Sequence, residues 1–258
     1  MFRKKHSSVY DDAFFAQQVE HSLRSARAVA PVVHRLFGAR SVVDIGCGLG
    51  AWLRAFSEVG IEHICGIDGD YVNRQNLLIP SAKFIAQDLS RPFEIPGRYD
   101  LAMSLEVAEH LSGKAGARLV HTLTQAAPLV MFSAAVPGQG GSHHINEQRP
   151  AYWRSLFADE GFRLFDPIRP LIRDNRSVRW WYRQNLVLFA SPEGVSAHPQ
   201  LGPEVAAGEE MEWVHISLVN KPRDLRATLR NLPGVPWAWS HVKPWFRPKP
   251  HHIPEPTN

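Results

Sequence analysis

Short apolar runs alternate with longer amphipathic segments over residues 41–190. Apolar runs bounded by glycine, proline or charged residues are typical of buried strands, and the segments between them have helical spacing. The clearest helix is predicted from Ala151 to Glu160, because Pro150 favours its first turn and Gly161 favours its end. Strands alternating with helices predict an α/β fold, a mostly parallel sheet with helices on both faces. The seven predicted strands lie in VVDIG, ICGIDGDYV, FIAQDL, YDLAMSLEV, LVMFSAAV, FRLFDPIR and NLVLFA.

The regions on either side of this core have different patterns. Residues 11–37 have apolar positions at helical spacing, interrupted at Pro31, which predicts two helices before the first strand. The composition of residues 191–210, rich in Pro, Gly, Ala and Glu, predicts a linker. A helix is predicted at residues 211–230. The tail from Pro233 is rich in Pro and Trp, which predicts an extended segment. The chain therefore divides into an N-terminal helical region (1–40), a core domain (41–192) and a C-terminal extension (193–258).

Composition excludes several classes of protein. The chain has 258 residues, of which 44% are hydrophobic, enough for one large domain with additions. No stretch approaches the roughly 20 apolar residues of a membrane span, and the N-terminus lacks the apolar centre of an export signal. Cys47 lies in a glycine-rich turn and Cys65 in a predicted strand, so the two do not form a disulfide framework. These features predict a cytoplasmic protein.

The net charge of +4 is modest, but arginine and aromatic residues are concentrated near the end of the core. This segment is either a solvated face with some core residues, or a surface for an anionic substrate or nucleic acid on which the aromatic rings stack. The residues are Arg163, Arg169, Arg173, Arg176, Arg179, Arg183, Trp180, Trp181 and Tyr182.

A glycine-rich turn follows the first predicted strand, which ends in Asp44. Glycines allow positive φ and let a ligand approach the backbone, and the N–H groups of the next helix face that ligand. The spacing G-x-G-x-G differs from the dinucleotide pattern G-x-G-x-x-G, and no Lys-Ser/Thr of a triphosphate loop follows. The turn therefore disfavours a nucleoside triphosphate as its ligand.

Acidic residues recur at the ends of the predicted strands. Asp68 ends the second strand roughly 20 residues after the turn, where an acid can accept hydrogen bonds from two ribose hydroxyls, and Asp70 is a rival for this role. Asp88 follows the third strand and Asp100 opens the fourth. The recurrence favours a cofactor-binding edge over unrelated solvated residues.

These motifs resemble those of class I S-adenosylmethionine (SAM) methyltransferases. The later segments PGQGGSHHINEQRPAYW and WWYRQNLVLF resemble a bacterial subgroup from glycan and secondary-metabolite pathways, similar to methyltransferase domain 23. The resemblance implies a Rossmann-like seven-stranded sheet with an antiparallel last strand, an N-terminal helical lid and SAM as cofactor. By this resemblance Asp44 holds the amino-acid end of SAM, Asp68 the ribose and Asp88 the adenine amino group, while the backbone N–H of Leu89 contacts the ring. The implied cofactor-binding residues are Asp44, Gly46, Gly48, Gly50, Asp68, Asp88, Leu89 and Glu106.

Candidate chemistry follows the fourth and fifth strands, because ligands of open parallel sheets lie beyond the carboxyl ends of the strands, where strand order reverses. Glu106, Glu109 and His110 follow the fourth strand at positions that share one face of a helix. A glycine-rich loop after the fifth strand contains His143 and His144. One interpretation is a divalent metal site for Mn²⁺, Fe²⁺, Co²⁺ or Mg²⁺. The second is a general base, His144 or its rival His143, and the third is a pair of loop histidines without a chemical role.

The Glu-x-x-Glu-His run with a distal histidine resembles metal-dependent O-methyltransferases, among them the small-RNA 2′-O-methyltransferases and the ubiquinone-pathway enzymes. That resemblance implies a metal that binds two neighbouring hydroxyls and lowers the pKa of one. The same run also occurs in methyltransferases that use no metal, where Glu106 lies near the cofactor. The implied metal ligands are Glu106, Glu109, His110 and His144, and the catalytic candidates are His144, His143 and His110.

The expected function is a SAM-dependent O-methyltransferase acting on a hydroxyl of a sugar-containing or other small natural product. The exit of the fourth strand lacks an N-P-P-Y or D-P-P-Y motif for planar amino groups, and the chain has no Pro-Cys nucleophile for cytosine. An oxygen acceptor is therefore favoured, and an aliphatic amine or a carbon acid remains an alternative acceptor. One alternative is a metal-dependent RNA ribose 2′-O-methyltransferase, which the arginine and aromatic segment favours. The other is a non-catalytic SAM-binding partner subunit. The sequence determines neither the acceptor nor the oligomeric state.

Overall fold

A computed structural model of the protein describes the backbone of residues 8–209 and the side chains of residues 19–209. The helix predicted at 211–230 and the extended tail lie outside the described residues. None of the described helices is both long and apolar enough to cross a membrane.

A seven-stranded sheet forms the centre of the fold, in the order β3-β2-β1-β4-β5-β7-β6. The strands are β1 (Ser41–Ile45), β2 (His63–Asp68), β3 (Phe84–Ala86), β4 (Leu101–Leu105), β5 (Leu129–Ser133), β6 (Arg163–Phe165) and β7 (Val187–Ala190). The first five run parallel, whereas β7 is antiparallel to both β5 and β6. This arrangement confirms the predicted sheet and its antiparallel last strand. The strand order reverses between β1 and β4, so the carboxyl ends of these two strands form the crevice where ligands bind in such folds.

Helices cover both faces of the sheet, because successive residues of each parallel strand point to opposite faces. Val42 of β1 belongs to a core cluster with residues of α1 (Ser8–Phe37) and α2 (Ala51–Glu58). Its neighbour Val43 belongs to a second cluster with residues of α3 (Gly113–Ala126) and α4 (Pro150–Asp159). The strands are therefore apolar on both sides, as the continuous apolar runs predicted. The helices are α1 (Ser8–Phe37), α2 (Ala51–Glu58), α3 (Gly113–Ala126), α4 (Pro150–Asp159), α5 (Arg169–Ile172), α6 (Trp180–Asn185) and α7 (Pro192–Ala197).

One continuous helix, α1, precedes the sheet, so the prediction of two helices separated at Pro31 was wrong. A proline inside a helix removes one hydrogen bond and costs about 3 kcal/mol. Burial of apolar side chains on both sides of Pro31 offsets this cost, at roughly 1.5–3 kcal/mol for each large side chain. The fully buried residues of α1 around the proline are Ala26, Val29, Ala30 and Val33.

Residues 191–209 are folded, which corrects the prediction of a linker at 191–210. Ser191 caps α7 by accepting a hydrogen bond from the N–H of Gly194. A Cβ at Gly194 would stand 2.3 Å from the carbonyl oxygen of Pro128, so α7 packs closely against the start of β5. A bridge between Phe165 and Glu204 then adds to the edge of β6. Ser191 followed by Pro192 marks the start of this helix, because serine is favoured at the N-cap and proline at the first helical position.

Candidate active site

The glycine-rich turn joins β1 to α2 at the crevice. Gly46, Gly48 and Gly50 all have positive φ, at 85°, 53° and 81°. A Cβ at Gly46 would stand 2.4 Å from a methyl carbon of Val107, so this glycine lets the turn pack against the exit of β4. Apart from Gly48 and its two chain neighbours, no heavy atom of the described residues lies within 4 Å of the position that a Cβ would take at Gly48. The turn therefore leaves open space in front of its backbone, as a bound ligand requires.

Asp68 ends β2 and faces this turn. One carboxylate oxygen accepts a hydrogen bond from the N–H of Gly48 at 2.7 Å. The other accepts from the N–H of Gly69 at 2.7 Å and from the hydroxyl of Tyr71. Asp68 is buried, whereas its rival Asp70 is exposed. Asp68 therefore faces the glycine turn, and the Tyr71 hydroxyl occupies one acceptor site of its carboxylate.

Asp44 is buried at the carboxyl end of β1, 3% exposed. Burial, together with the charge of Asp68, raises its pKa well above the ordinary value. The same environment raises the pKa of the Cys47 thiol, because burial and the charges of Asp44 and Asp68 all disfavour a thiolate. Cys47 therefore fills the turn as a small, unreactive side chain.

Asp88 follows β3 and is exposed. Its carboxylate accepts hydrogen bonds from the N–H and the hydroxyl of Ser90, at 2.9 and 2.6 Å, and these bonds lower its pKa. Leu89 beside it is half-buried. Both residues stand at the carboxyl edge of the sheet, where the resemblance places the adenine.

Asp100 lies at the opposite edge. Its carboxylate accepts hydrogen bonds from the backbone N–H groups of Arg40 and Ser41, at 2.8 and 3.0 Å, at the start of β1. Asp100 therefore stabilises the amino ends of the strands. Its inclusion with the acids of the cofactor edge was wrong, because it precedes a strand whereas the others follow one.

The segment after β4 is a tight turn, which corrects the prediction of a helix carrying Glu106, Glu109 and His110 on one face. Glu106 has a φ of 57°, in the left-handed region that a helix does not use. Its N–H donates to the carbonyl oxygen of Ser133 at 2.9 Å, which prolongs the pairing of β4 with β5. A single 3₁₀ turn, Ala108–His110, follows before α3.

Two amide side chains bind the carboxylate of Glu106. Gln139 Nε2 donates to one oxygen of Glu106 at 2.8 Å, and Asn185 Nδ2 donates to the other at 3.1 Å. Asn185 also donates to the Gln139 carbonyl oxygen at 2.9 Å. Burial raises the pKa of Glu106 even though both amides favour its ionised form. Sequence reasoning missed Gln139 and Asn185, because residues so far apart along the chain carry no local signal of their contact.

Glu109, His110 and His144 form the cluster at the centre of the site. One potential ligand atom from each lies within 4.8 Å of the others, and the two imidazole centroids are 4.8 Å apart. Glu109 is fully buried, and the backbone N–H groups of Glu109 itself and of Ala135 lie close enough to its carboxylate to oppose part of the rise in its pKa. Burial and the charge of Glu106 raise the pKa of Glu109 to about 8. Desolvation and the charge of His144 lower the pKa of His110.

The glycine-rich loop after β5 positions His144. Nδ1 of His144 lies 2.9 Å from Oε1 of Glu147. The same carboxylate accepts hydrogen bonds from the backbone N–H groups of Gly138 and Gly140, at 2.8 and 2.7 Å. Burial alone would raise the pKa of Glu147, but the hydrogen bonds from His144 and the two glycines hold it below its usual value. The sequence showed Glu147 in this loop without indicating that role.

The rest of the loop places His143 and His144 in different surroundings. The carbonyl oxygen of Glu109 accepts hydrogen bonds from the N–H groups of Ile145 and Asn146, at 2.9 and 3.0 Å, which fixes the loop to the exit of β4. His143 is exposed, and its Nδ1 lies 2.8 Å from the Ser142 hydroxyl oxygen. The structure therefore brings His110 and His144 to Glu109, and it leaves His143 outside the cluster.

The arginine and aromatic segment does not form one uniform surface. Arg169 is buried, pairs with Asp166 at 2.8 Å and donates to the carbonyl oxygen of Gln184 at 2.9 Å. Tyr182 is buried against Trp52, with ring centroids 5.1 Å apart. Arg169 and Tyr182 therefore belong to the core, as the first interpretation of this segment predicted for some of its residues.

The sequence profile of the family Methyltransf_23, described as a methyltransferase domain, matches residues 15–167. No curated protein sequence matches the chain.

Several solved structures share the fold at low sequence identity. A sugar N-methyltransferase from a Streptoalloteichus species is 16% identical, with a TM-score of 0.54 over 74% of this chain and 96% of that one. An O-methyltransferase family protein from Burkholderia thailandensis is 15% identical, with a TM-score of 0.55 over 72% of this chain and 60% of that one. A SAM-bound amino pentose methyltransferase from Micromonospora echinaspora is 14% identical, with a TM-score of 0.51 over 74% of this chain and 99% of that one.

Proposed function

Because the chain belongs to the Methyltransf_23 family of methyltransferase domains, we propose that it transfers the methyl group of SAM to a hydroxyl of a sugar-containing or other small natural product. The family match confirms the resemblance to class I methyltransferases. The names of two similar structures, a sugar N-methyltransferase and a SAM-bound amino pentose methyltransferase, support the cofactor and the class of acceptor.

The glycine turn and Asp68 fit SAM. The space in front of Gly48 accommodates a ligand against the backbone, and the buried carboxylate of Asp68 is fixed by the N–H groups of Gly48 and Gly69. When bound, SAM supplies a methyl group on a positively charged sulfur. The Asp68 carboxylate gives this edge of the sheet a negative character that favours a cation, and a bound cation would in turn favour the ionised form of Asp44. Tyr71 releases one oxygen of Asp68 when a ribose hydroxyl takes its place.

The observation that carries the proposal is the position of His144 beside Glu109 and His110 at the carboxyl ends of β4 and β5. In this reaction His144 takes the proton from the acceptor hydroxyl, since a neutral imidazole is an effective base near neutral pH. The hydroxyl oxygen then forms the bond to the methyl carbon, the carbon–sulfur bond breaks with its electrons passing to sulfur, and S-adenosylhomocysteine leaves.

A metal-assisted version of the same reaction is the second candidate. The buried Glu109 carboxylate lies next to two imidazoles, and this set fits a divalent cation with mixed oxygen and nitrogen ligands. The ligands would be Glu109, His110 and His144, whereas Glu106 is held by Gln139 and Asn185. A bound cation would lower the pKa of an acceptor hydroxyl.

The test is a label-partitioning experiment. The protein is incubated with methyl-labelled SAM and an extract of the source cells, with and without EDTA, and the extract is separated into small molecules, RNA and protein. Label in the small-molecule fraction supports the proposal, and mass spectrometry of the product then distinguishes an O-methyl from an N-methyl group. Label in RNA that ribonuclease removes would support a ribose 2′-O-methyltransferase instead, and SAM binding with no transfer to any fraction would support a non-catalytic subunit.

Two comparisons test which version of the reaction the protein uses and whether His144 is required. Loss of transfer in EDTA, restored by Mn²⁺ or Fe²⁺, supports the metal-assisted version, and full transfer in EDTA supports the general-base version. His144→Ala should abolish transfer in both. The matched control is His121→Ala, because His121 also lies beside a glutamate, Glu160 at 3.0 Å, but on the exposed surface of α3.

A further inference from the structure

The Glu147 carboxylate connects the backbone of the glycine loop to the imidazole of His144. Oε1 accepts from the N–H of Gly140 at 2.7 Å and lies 2.9 Å from Nδ1 of His144, while Oε2 accepts from the N–H of Gly138 at 2.8 Å. The side chains of His144 and Glu147 are only 13% and 19% exposed. The carboxylate is therefore held by two backbone donors and cannot follow a rotation of the ring.

This geometry determines which ring nitrogen of His144 carries the proton. An ionised carboxylate only accepts hydrogen bonds, so Nδ1 must donate to Glu147, and in the neutral ring Nε2 then has the lone pair. The ring also rests against the loop, because a Cβ at Gly141 would stand 2.2 Å from Nε2. Both contacts fix the direction of the imidazole.

We infer that Glu147 is the positioning residue that sets the tautomer and the direction of His144 for methyl transfer. The inference rests on the proposed function, and it applies whether Nε2 acts as a base or binds a metal. A carboxylate that orients an imidazole in this way typically changes activity or metal affinity by about 10–100-fold when it is removed.

The first test needs no acceptor, so its outcome is independent of the proposed reaction. The imidazole nitrogens of ¹⁵N-histidine-labelled protein are observed by NMR at about pH 8.5, where an ordinary imidazole is neutral. The signals of His144 are identified by their absence in His144→Ala. We expect a single tautomer with the proton on Nδ1, and we expect Glu147→Ala to lose it. A proton on Nε2 in the natural protein, or an unchanged tautomer in Glu147→Ala, would overturn the inference.

The second test measures methyl transfer with Glu147→Gln, which keeps the size of the side chain and removes its charge. With the small-molecule fraction as acceptor, we expect kcat to fall about 10–100-fold, while calorimetry shows an unchanged affinity for SAM. The matched control is Glu160→Gln, which alters the surface pair with His121 and should keep the rate. An unchanged rate in Glu147→Gln, a loss explained by weaker SAM binding, or an equal loss in Glu160→Gln would each contradict the positioning role.

A loop-anchoring role alone is distinguishable from positioning. If Glu147 only held the loop, the rate would fall in Glu147→Gln while the tautomer of His144 in Glu147→Ala stayed the same, and that result would overturn the inference. If no fraction accepts the methyl group, the proposed function fails, and the NMR comparison still decides how Glu147 acts on His144. Urea midpoints of the variants verify that each is folded.

Discussion

The replacement of Glu109 by glutamine tests whether burial raises the pKa of the carboxylate at the centre of the cluster. Burial and the charge of Glu106 raise the pKa of Glu109 to about 8 in the folded chain, whereas a glutamate in an unfolded chain has a pKa of about 4.3. Between these values the folded chain keeps a proton that the unfolded chain releases. The contribution of this group to stability is therefore complete below about pH 4 and is lost as the pH rises towards about 8.

The size of the change in stability follows from the shift in the pKa of Glu109. A single group changes the free energy of unfolding by at most about 1.4 kcal/mol per pH unit, which gives a ceiling of about 3–4 kcal/mol between about pH 5 and pH 8. Since Glu106 titrates beside Glu109, we take roughly half of that ceiling, ~2 kcal/mol, as the expected change. Glutamine has the same shape and no charge, so Glu109→Gln lacks this dependence. Any constant cost of burying the amide does not vary with pH.

The assay is urea unfolding of both proteins in EDTA, at several values between about pH 5 and pH 8. Tryptophan fluorescence reports unfolding, because Trp52 and Trp153 are buried in the two core clusters. We expect the free energy of unfolding of Glu109→Gln, relative to the natural protein, to increase by ~2 kcal/mol across this range. Glu62→Gln, which removes an exposed carboxylate, is measured as the baseline. The raised pKa of Glu109 would be refuted if the free energy of unfolding of Glu109→Gln, relative to the natural protein, stayed constant or decreased as the pH rises.

Four further perturbations test the cofactor edge and the loop. Asp68→Ala removes a charged hydrogen-bond acceptor and should weaken SAM binding by about 10–100-fold in calorimetry, and an unchanged affinity would contradict the ribose role. Tyr71→Phe removes the hydroxyl that competes for Asp68 and should tighten SAM binding by up to about 10-fold, whereas weaker binding would show that the hydroxyl contacts the cofactor. Gly141→Ala places a Cβ against Nε2 of His144 and should lower the rate of methyl transfer with little change in the urea midpoint; a normal rate would show that the ring need not stay in place. The buried thiol of Cys47 should react with iodoacetamide far more slowly in the folded protein than in urea, and equal rates would contradict its raised pKa.

The parts of the fold that were correctly predicted depend on local patterns. A strand buried on both faces must be apolar along its length, and a turn that takes positive φ at alternate positions must use glycine, so the seven strands and the turn at Gly46, Gly48 and Gly50 are visible in the sequence. The position of Asp68 at the carboxyl end of β2 was predicted for the same reason, while its role in binding the cofactor stays a prediction. The family and the fold were accessible from these motifs alone.

The errors occurred where contacts between distant segments outweigh local preference. Pro31 ordinarily ends a helix, but burial of the residues around it keeps α1 continuous. The Glu-x-x-Glu-His spacing suits a helix face, but the pairing of Glu106 with Ser133 extends the strand and turns the chain. Asp100 opens its strand, so the order along the chain already placed it at the amino end, and its grouping with the acids at the carboxyl ends was an error of interpretation.

The sequence by itself determined the strands, the glycine turn and the acids that follow the strands, because each depends on residues that are neighbours in the chain. Only the tertiary structure decided which side chains share the site. It brings Glu109, His110 and His144 together and assigns Glu106 to Gln139 and Asn185. The physical reason is that hydrogen bonds between distant segments are selected by the packing of the sheet and its loops, which no local spacing encodes.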